Sequence, residues 1–201
     1  MVSRPIVASP VIGYFLGNVE AALIVGAVLE LLFIGDLPVG SYIPVHETGV
    51  AVLVTAATVN AIPVSFPAEG VLPVVLLFAI PVSAFYQKAD TIVRRVNARF
   101  FDNAMTLLEN GEEASLVREN LKGAALFFLT SFVSIFVTTL PVIALARLAG
   151  PLILPSAVYP AFAGCLILGI AAGLNAVYAD RSFLIFSVAG LAAAAAVMVR
   201  L

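Results

Sequence analysis

GYFLGNVEAALIVGAVLELLFIGDLPVGSYIPVHETG, residues Gly13–Gly49, decides how the rest of the chain is read. The stretch is apolar enough to lie in a bilayer, yet it carries Asn18, Glu20, Glu30, Asp36, His46 and Glu47. Ionisable groups in hydrocarbon are costly, need partners and mark functional sites by default. Gly35, Pro38, Gly40, Pro44 and Gly49 are positioned to break helices at membrane depth. Broken helices carrying polar groups are how many carriers build a binding site. Within the stretch, Gly17-Asn18 is expected to interrupt one helix, Ile6–Gly17, and open another, Val19–Ile34. The first run is short for a span, since crossing takes about 20 residues. Ala22, Gly26 and Glu30 recur at steps of four and share one face of the second run, so the carboxylate points along a small-residue face into the protein. The two runs read as a broken or re-entrant pair. Gly13 and Gly17 form a GxxxG pair that permits close helix contact.

The rest of the composition fits this reading. The 201 residues are 62% hydrophobic and 11% charged, where a soluble domain has about 25% charged residues. With a mean hydropathy of +1.13, a water-soluble fold has no way to hide so much apolar surface, and an integral membrane protein follows. The apolar runs are long and do not alternate, which points to a helical bundle and away from a β-barrel. A net charge of −2 provides no basic field for nucleic acid. Cys165 is the single cysteine, so neither an intrachain disulfide nor a cysteine-based zinc site is expected. Met1–Pro10 does not read as a cleavable signal peptide, because the apolar stretch runs past any small-residue cleavage site.

Beyond Gly35–Glu47, a polar loop, come further apolar runs at Gly49–Ile62 and Val71–Tyr86, the latter with Pro81 as a candidate kink. The chain then changes character. Gln87–Lys122 holds twelve of the 22 formal charges. Val93, Val96, Phe100, Ala104 and Leu107 recur at helical spacing, which predicts an amphipathic helix ending at Asn110-Gly111. Its basic cluster, Lys88–Arg99, points to the cytoplasmic side. This segment reads either as a solvated connector on the membrane surface or as a docking site. Gly123–Ala146 and Ser156–Tyr178 follow as spans, the second with a further GxxxG pair at Gly169 and Gly173, and Phe183–Val199 reads as a last one.

The residues Leu16-Gly17-Asn18, Gly26-Ala27-Val28-Leu29-Glu30-Leu31 and Val39-Gly40 fall in step with a known pattern. The stretch resembles the membrane IIC component of the mannose/fructose/sorbose type of bacterial phosphotransferase system. The amphipathic segment around Gln87–Gly111 and the Arg4-Pro5 pair ahead of the first motif also look like that family. There are departures: the family's Asp after Gly17 is Asn18, its G-G-T is Gly26-Ala27-Val28, and its P-P-D is Pro44-Val45-His46, followed by Glu47. The family normally has one more span before its Arg-Pro, so the resemblance implies either a misplaced start codon or a truncated or diverged paralogue.

The resemblance implies a polytopic, multi-pass, all-α protein of the bacterial cytoplasmic (inner) membrane that binds a hexose-like sugar within the bilayer. It implies a IID membrane partner, an oligomer, and soluble IIA and IIB domains that carry the phosphoryl group, with IIB phosphorylating the sugar as it arrives. IIC itself carries no phosphohistidine, so no catalytic residue and no cofactor are expected. The alternative is a non-transporting paralogue that acts as a membrane scaffold or regulator. The whole chain, 1–201, is expected to form one membrane domain: N-terminal spans over 1–86, the amphipathic charged segment over 87–122, and C-terminal spans over 123–201.

Four residues stand out as substrate-binding candidates. Glu30 offers a carboxylate to sugar hydroxyls in a water-poor site, or else caps a broken helix or pairs with another buried group. His46, the only histidine, lacks co-ligands for a metal. It reads as a sugar hydrogen-bond partner, a pH-sensitive loop residue or a plain loop residue. Glu47 stands where a one-residue shift would replace the missing Asp. Asn18 keeps hydrogen-bonding capacity without charge and suits a helix cap. Asn60, Thr130 and Asn175 suit hydrogen bonds between helices. No Ser/His pair, HExxH or aspartyl dyad motif is present.

Overall fold

The computed structural model describes residues 3–34, 46–62, 67–109, 116–149 and 155–177. Among them are α1 (Pro5–Leu16), α2 (Val19–Phe33), α3 (Glu47–Ala61), α4 (Ala68–Glu109), α5 (Leu116–Ala149) and α6 (Val158–Val177), with a short 3₁₀ turn at Pro155–Ala157 before α6. There is no strand among the described residues. The Phe183–Val199 run and the polar loop up to Pro44 lie outside the described residues, as does the end expected at Asn110-Gly111.

α1 and α2 form the broken pair. Pro5 starts α1, where its missing N–H costs nothing. Gly17 ends it with φ at +81°, in the left-handed region. The Asn18 N–H reaches the Gly13 carbonyl at 2.9 Å and the Gly17 N–H reaches Tyr14 at 3.3 Å, the two bonds of a Schellman motif. Asn18 then caps α2, its Oδ1 accepting from the Ala21 N–H at 3.0 Å. The chain reverses within two residues. At 1.5 Å per residue, α1 and α2 are about 18 and 22 Å long, short of the roughly 30 Å hydrocarbon core. Close approach between them needs the glycines. A Cβ on Gly13 would overlap that of Ala22, and one on Gly26 would lie 2.9 Å from the Pro5 carbonyl. Gly17 takes no part in that contact: it has nothing within 4 Å, and its role is the turn. On α6, Gly169 and Gly173 admit Leu31 of α2 and Ile34 just past its end.

α3 completes the centre. Val25, Val28 and Leu29 of α2 pack with Leu53, Val54 and Ala57 of α3 and Leu72 and Val75 of α4, all close to fully buried. Among the described residues three helices, α4, α5 and α6, are long and apolar enough to cross a membrane. Together with the hydropathy of the chain, this makes an all-helical membrane protein.

The amphipathic segment expected from Gln87 onward is helical as far as Glu109, but it is continuous with the apolar run before it. α4 passes through Pro73 and Pro81 without ending. No glycine or proline stands between Pro81 and Glu109 to stop it. Its 42 residues make a rod about 63 Å long, roughly twice the hydrocarbon core. α5 likewise runs through Pro141 to Ala149 and returns antiparallel to α4, as the Asn97–Gly123 and Tyr86–Thr138 hydrogen bonds show. The α4–α5 hairpin therefore extends past the ends of the shorter helices.

Candidate functional site

The starts of α1 and α3 and the end of α2 meet at one end of the bundle. The Thr48 hydroxyl donates to the Ser3 carbonyl at 2.8 Å. Arg4 reaches both carboxylates of the central stretch: Nη1 lies 3.7 Å from Glu30 Oε1 and 3.4 Å from Glu47 Oε2. Glu30 Oε2 also accepts from the Ile6 N–H at 3.3 Å, one of the donors that a helix start leaves without an internal partner. One guanidinium thus ties three helices. The ladder predicted on α2 is present: Ala22 faces Gly13, Gly26 faces Pro5 and Ser9, and Glu30 faces Arg4 and Ile6.

His46 is the N-cap of α3. Its Nδ1 accepts from the Gly49 N–H at 2.9 Å. The ring lies 6.0 Å from that of Phe127, nearly parallel to it, and 6.4 Å from that of Tyr86, edge-on. Gly49 is needed here, because a Cβ would come within 2.8 Å of the His46 ring and 3.2 Å of Tyr86.

Behind His46 a cleft opens between α3, α4 and α5. Tyr86, Asp90 and Phe127 line it, with Thr130, Ser131 and Ser134 on the α5 wall. Its cavity volume is about 20 Å³, room for about one water. In this conformation side chains close most of it. Asp90 is 9% exposed. Its Oδ2 accepts from Arg94 Nε at 2.8 Å, while its Oδ1 is buried without a hydrogen-bond partner among the described residues. Such an acceptor is costly to leave unpaired. A carboxylate oxygen in need of a donor, hydroxyls on the facing helix and flat rings at the mouth together suit a polyhydroxylated ligand.

The structure brings Glu30, His46 and Glu47 to this end. Asn18 lies at the other end of α2, twelve residues or about 18 Å away. Sequence reasoning missed Arg4 as the partner of both glutamates, and it missed Asp90 and Tyr86. Arg4 was detectable as the one cation beside an apolar stretch rich in acids. Asp90 gave no sign, because it sits among the charges of a segment read as solvated.

No curated protein and no solved structure matches the chain. The family model described as the sorbose-specific IIC component of the phosphotransferase system matches residues 1–201. An all-helical membrane architecture, helices broken at Gly17-Asn18 and polar groups gathered where three helix ends meet accord with that match, and the chain belongs to the sorbose-specific IIC family of phosphotransferase sugar-transport subunits.

Proposed function

We propose that the chain is the sugar-translocating IIC subunit of a mannose-type phosphoenolpyruvate-dependent system, and that the sugar passes through the cleft behind His46. The observation that supports the site is the buried Oδ1 of Asp90, without a hydrogen-bond partner among the described residues, in a cleft also lined by hydroxyl-bearing residues of α5. A sugar hydroxyl supplies the donor it lacks. The Phe127 and His46 rings offer apolar faces to a pyranose, and Thr130, Ser131 and Ser134 exchange hydrogen bonds with the remaining hydroxyls. The closed cleft is one state of a cycle. Admitting a sugar requires the start of α3, which carries His46, to move away from α5.

Arg4, Glu30 and Glu47 brace that moving edge. Glu30 and Glu47 serve as candidate sugar contacts once the edge opens, and Asn18 serves as the cap that defines the α1–α2 turn. The α4–α5 hairpin stands at the cytoplasmic face, where its basic residues fit the positive-inside rule. There it meets the soluble IIA and IIB domains, IIB phosphorylates the arriving sugar, and a IID subunit completes the membrane assembly.

The test is phosphoenolpyruvate-dependent phosphorylation of a panel of hexoses and amino sugars in vesicles, with and without this chain, supplied with partner IIA, IIB and IID proteins. Activity that requires the chain establishes the transporter. In the same vesicles Asp90→Asn is expected to lower phosphorylation about tenfold or more, since an amide weakens a charge-assisted hydrogen bond of this kind. Full activity in Asp90→Asn moves the site elsewhere. Intact insertion with no activity for any sugar favours the scaffold reading.

A further inference from the structure

α4 carries a second stripe, directly opposite its buried face. Leu72, Val75, Ala79, Tyr86, Val93 and Ala104 are the buried line. Half a turn around the helix run Leu77, Phe85, Lys88, Ile92, Arg95 and Arg99. Lys88, Ile92, Arg95 and Arg99 are at positions i, i+4, i+7 and i+11, so they share one face. Leu77, Phe85 and Ile92 are 67%, 51% and 60% exposed, and Lys88, Arg95 and Arg99 are exposed too. The apolar part of this line faces outward within the spanning half of α4, where lipid is the solvent. The same line turns cationic at Lys88, about 30 Å from the start of α4 at Ala68, which is one hydrocarbon thickness.

These three cations are distinct from their neighbours. Arg94 is turned aside to Asp90, and Lys122 is held by Glu119. Lys88, Arg95 and Arg99 have no carboxylate at ion-pair distance among the described residues. Apart from Asp90 and Glu119, which pair with Arg94 and Lys122, the acidic residues between Gln87 and Lys122 come later than the stripe in sequence, at Asp102, Glu109, Glu112 and Glu113. The positive stripe is therefore confined to the band where the helix leaves the hydrocarbon.

We infer that Lys88, Arg95 and Arg99 form a binding site for the phosphate of an anionic phospholipid, which holds α4 at a set depth in the membrane. The long side chains keep their stems along the lipid-facing line and carry their charges to the headgroups. The acyl chains of the bound lipid continue down the same line past Ile92, Phe85 and Leu77. An acidic protein surface fits less well, because Ile92 and Phe85 interrupt and extend the stripe with apolar surface at the level of the bilayer.

The test uses the full chain reconstituted in phosphatidylcholine bilayers containing a minor fraction of phosphatidylglycerol, with the lipids retained on the purified protein counted by native mass spectrometry. Wild-type protein is expected to retain phosphatidylglycerol in excess of its share of the bilayer. The combined Lys88→Gln, Arg95→Gln, Arg99→Gln variant is expected to lose about tenfold or more of that preference, as neutralising three surface cations predicts. Inorganic phosphate at millimolar level is expected not to compete, which separates a lipid headgroup from a free anion. On the wild type alone, the preference is expected to fall as salt is raised. A preference unchanged by the substitutions overturns the inference, and so does one insensitive to salt. Equal retention of both lipids by wild type, with the cations needed to capture an acidic soluble partner, also overturns it and assigns the stripe to protein docking.

Discussion

At the level of single side chains, Glu30 and Asp90 differ in what their surroundings leave them to do. Glu30 is partly exposed and already engaged: it accepts the Ile6 N–H and stands 3.7 Å from Arg4. Asp90 is nearly buried and half engaged, with one oxygen bonded to Arg94 and the other unpartnered among the described residues. Sequence spacing pointed to the first and missed the second. Spacing reports which face a residue occupies, whereas an orphaned oxygen depends on which groups neighbouring helices bring to it. Glu30→Gln keeps an acceptor for the Ile6 N–H and removes the charge next to Arg4. Its expected effect is lower sugar uptake with membrane insertion intact, read as uptake per inserted molecule. Uptake at the wild-type level removes Glu30 from the sugar path and leaves it as the cap of α1. His46 shows the same division. Its N-cap bond to Gly49 is local to the start of α3, but its place beside Phe127 was not legible, because it arises only when α5 passes α3.

Among the elements, the α1–α2 hairpin was the most legible. Pro5, Gly17 and Asn18 mark its start, turn and restart, and small residues at steps of four mark its inner face. These signals act through the backbone and nearest neighbours, so they survive in any context. The division of labour between Gly13 and Gly17 was not legible from a GxxxG pattern. One glycine makes contact and the other makes the turn, and only the reversal of the chain separates them. Gly13→Val is expected to force α1 and α2 apart, since the Ala22 side chain already fills the space and backbone cannot yield cheaply. A cost of about 1–3 kcal/mol is the usual range for overpacking. A fall in the thermal midpoint of detergent-solubilised protein measures it, and an unchanged midpoint refutes the packing. α4 shows the opposite limit. Its composition changes sharply after Tyr86, and the change read as the start of a new element. The helix continues because composition governs which solvent a helix meets, while only backbone breakers or competing contacts decide where it stops.

Across the whole molecule, one cation and two carboxylates hold three helix ends together, and a long hairpin carries charge out of the hydrocarbon. Arg4→Ala is expected to destabilise the bundle by about 1 kcal/mol, a small effect because the groups are partly exposed and such pairs are weak. Glu47→Gln is expected to cost less in the Arg4→Ala chain than in the wild type, because the Arg4 charge it meets is already gone. Thermal midpoints of the two single variants and the double variant measure the coupling, and strict additivity shows that the pair does not act as a unit. At the far end, Arg147 donates to the Asn60 carbonyl at 3.0 Å, closing the last turn of α3 against α5. Membrane residence, helical class, the Gly17-Asn18 break and membership of the family follow from local composition and motif, because hydropathy and backbone preference are properties of short stretches. The joining of Arg4 to Glu30 and Glu47, the cleft between His46 and Asp90, and the cationic line opposite the buried face of α4 come from the tertiary structure. The first two are relations between residues tens of positions apart, and such residues acquire neighbours only when the helices pack; the spacing of the cations is local, but which face of α4 is buried, and so which is left outward, is decided by that same packing.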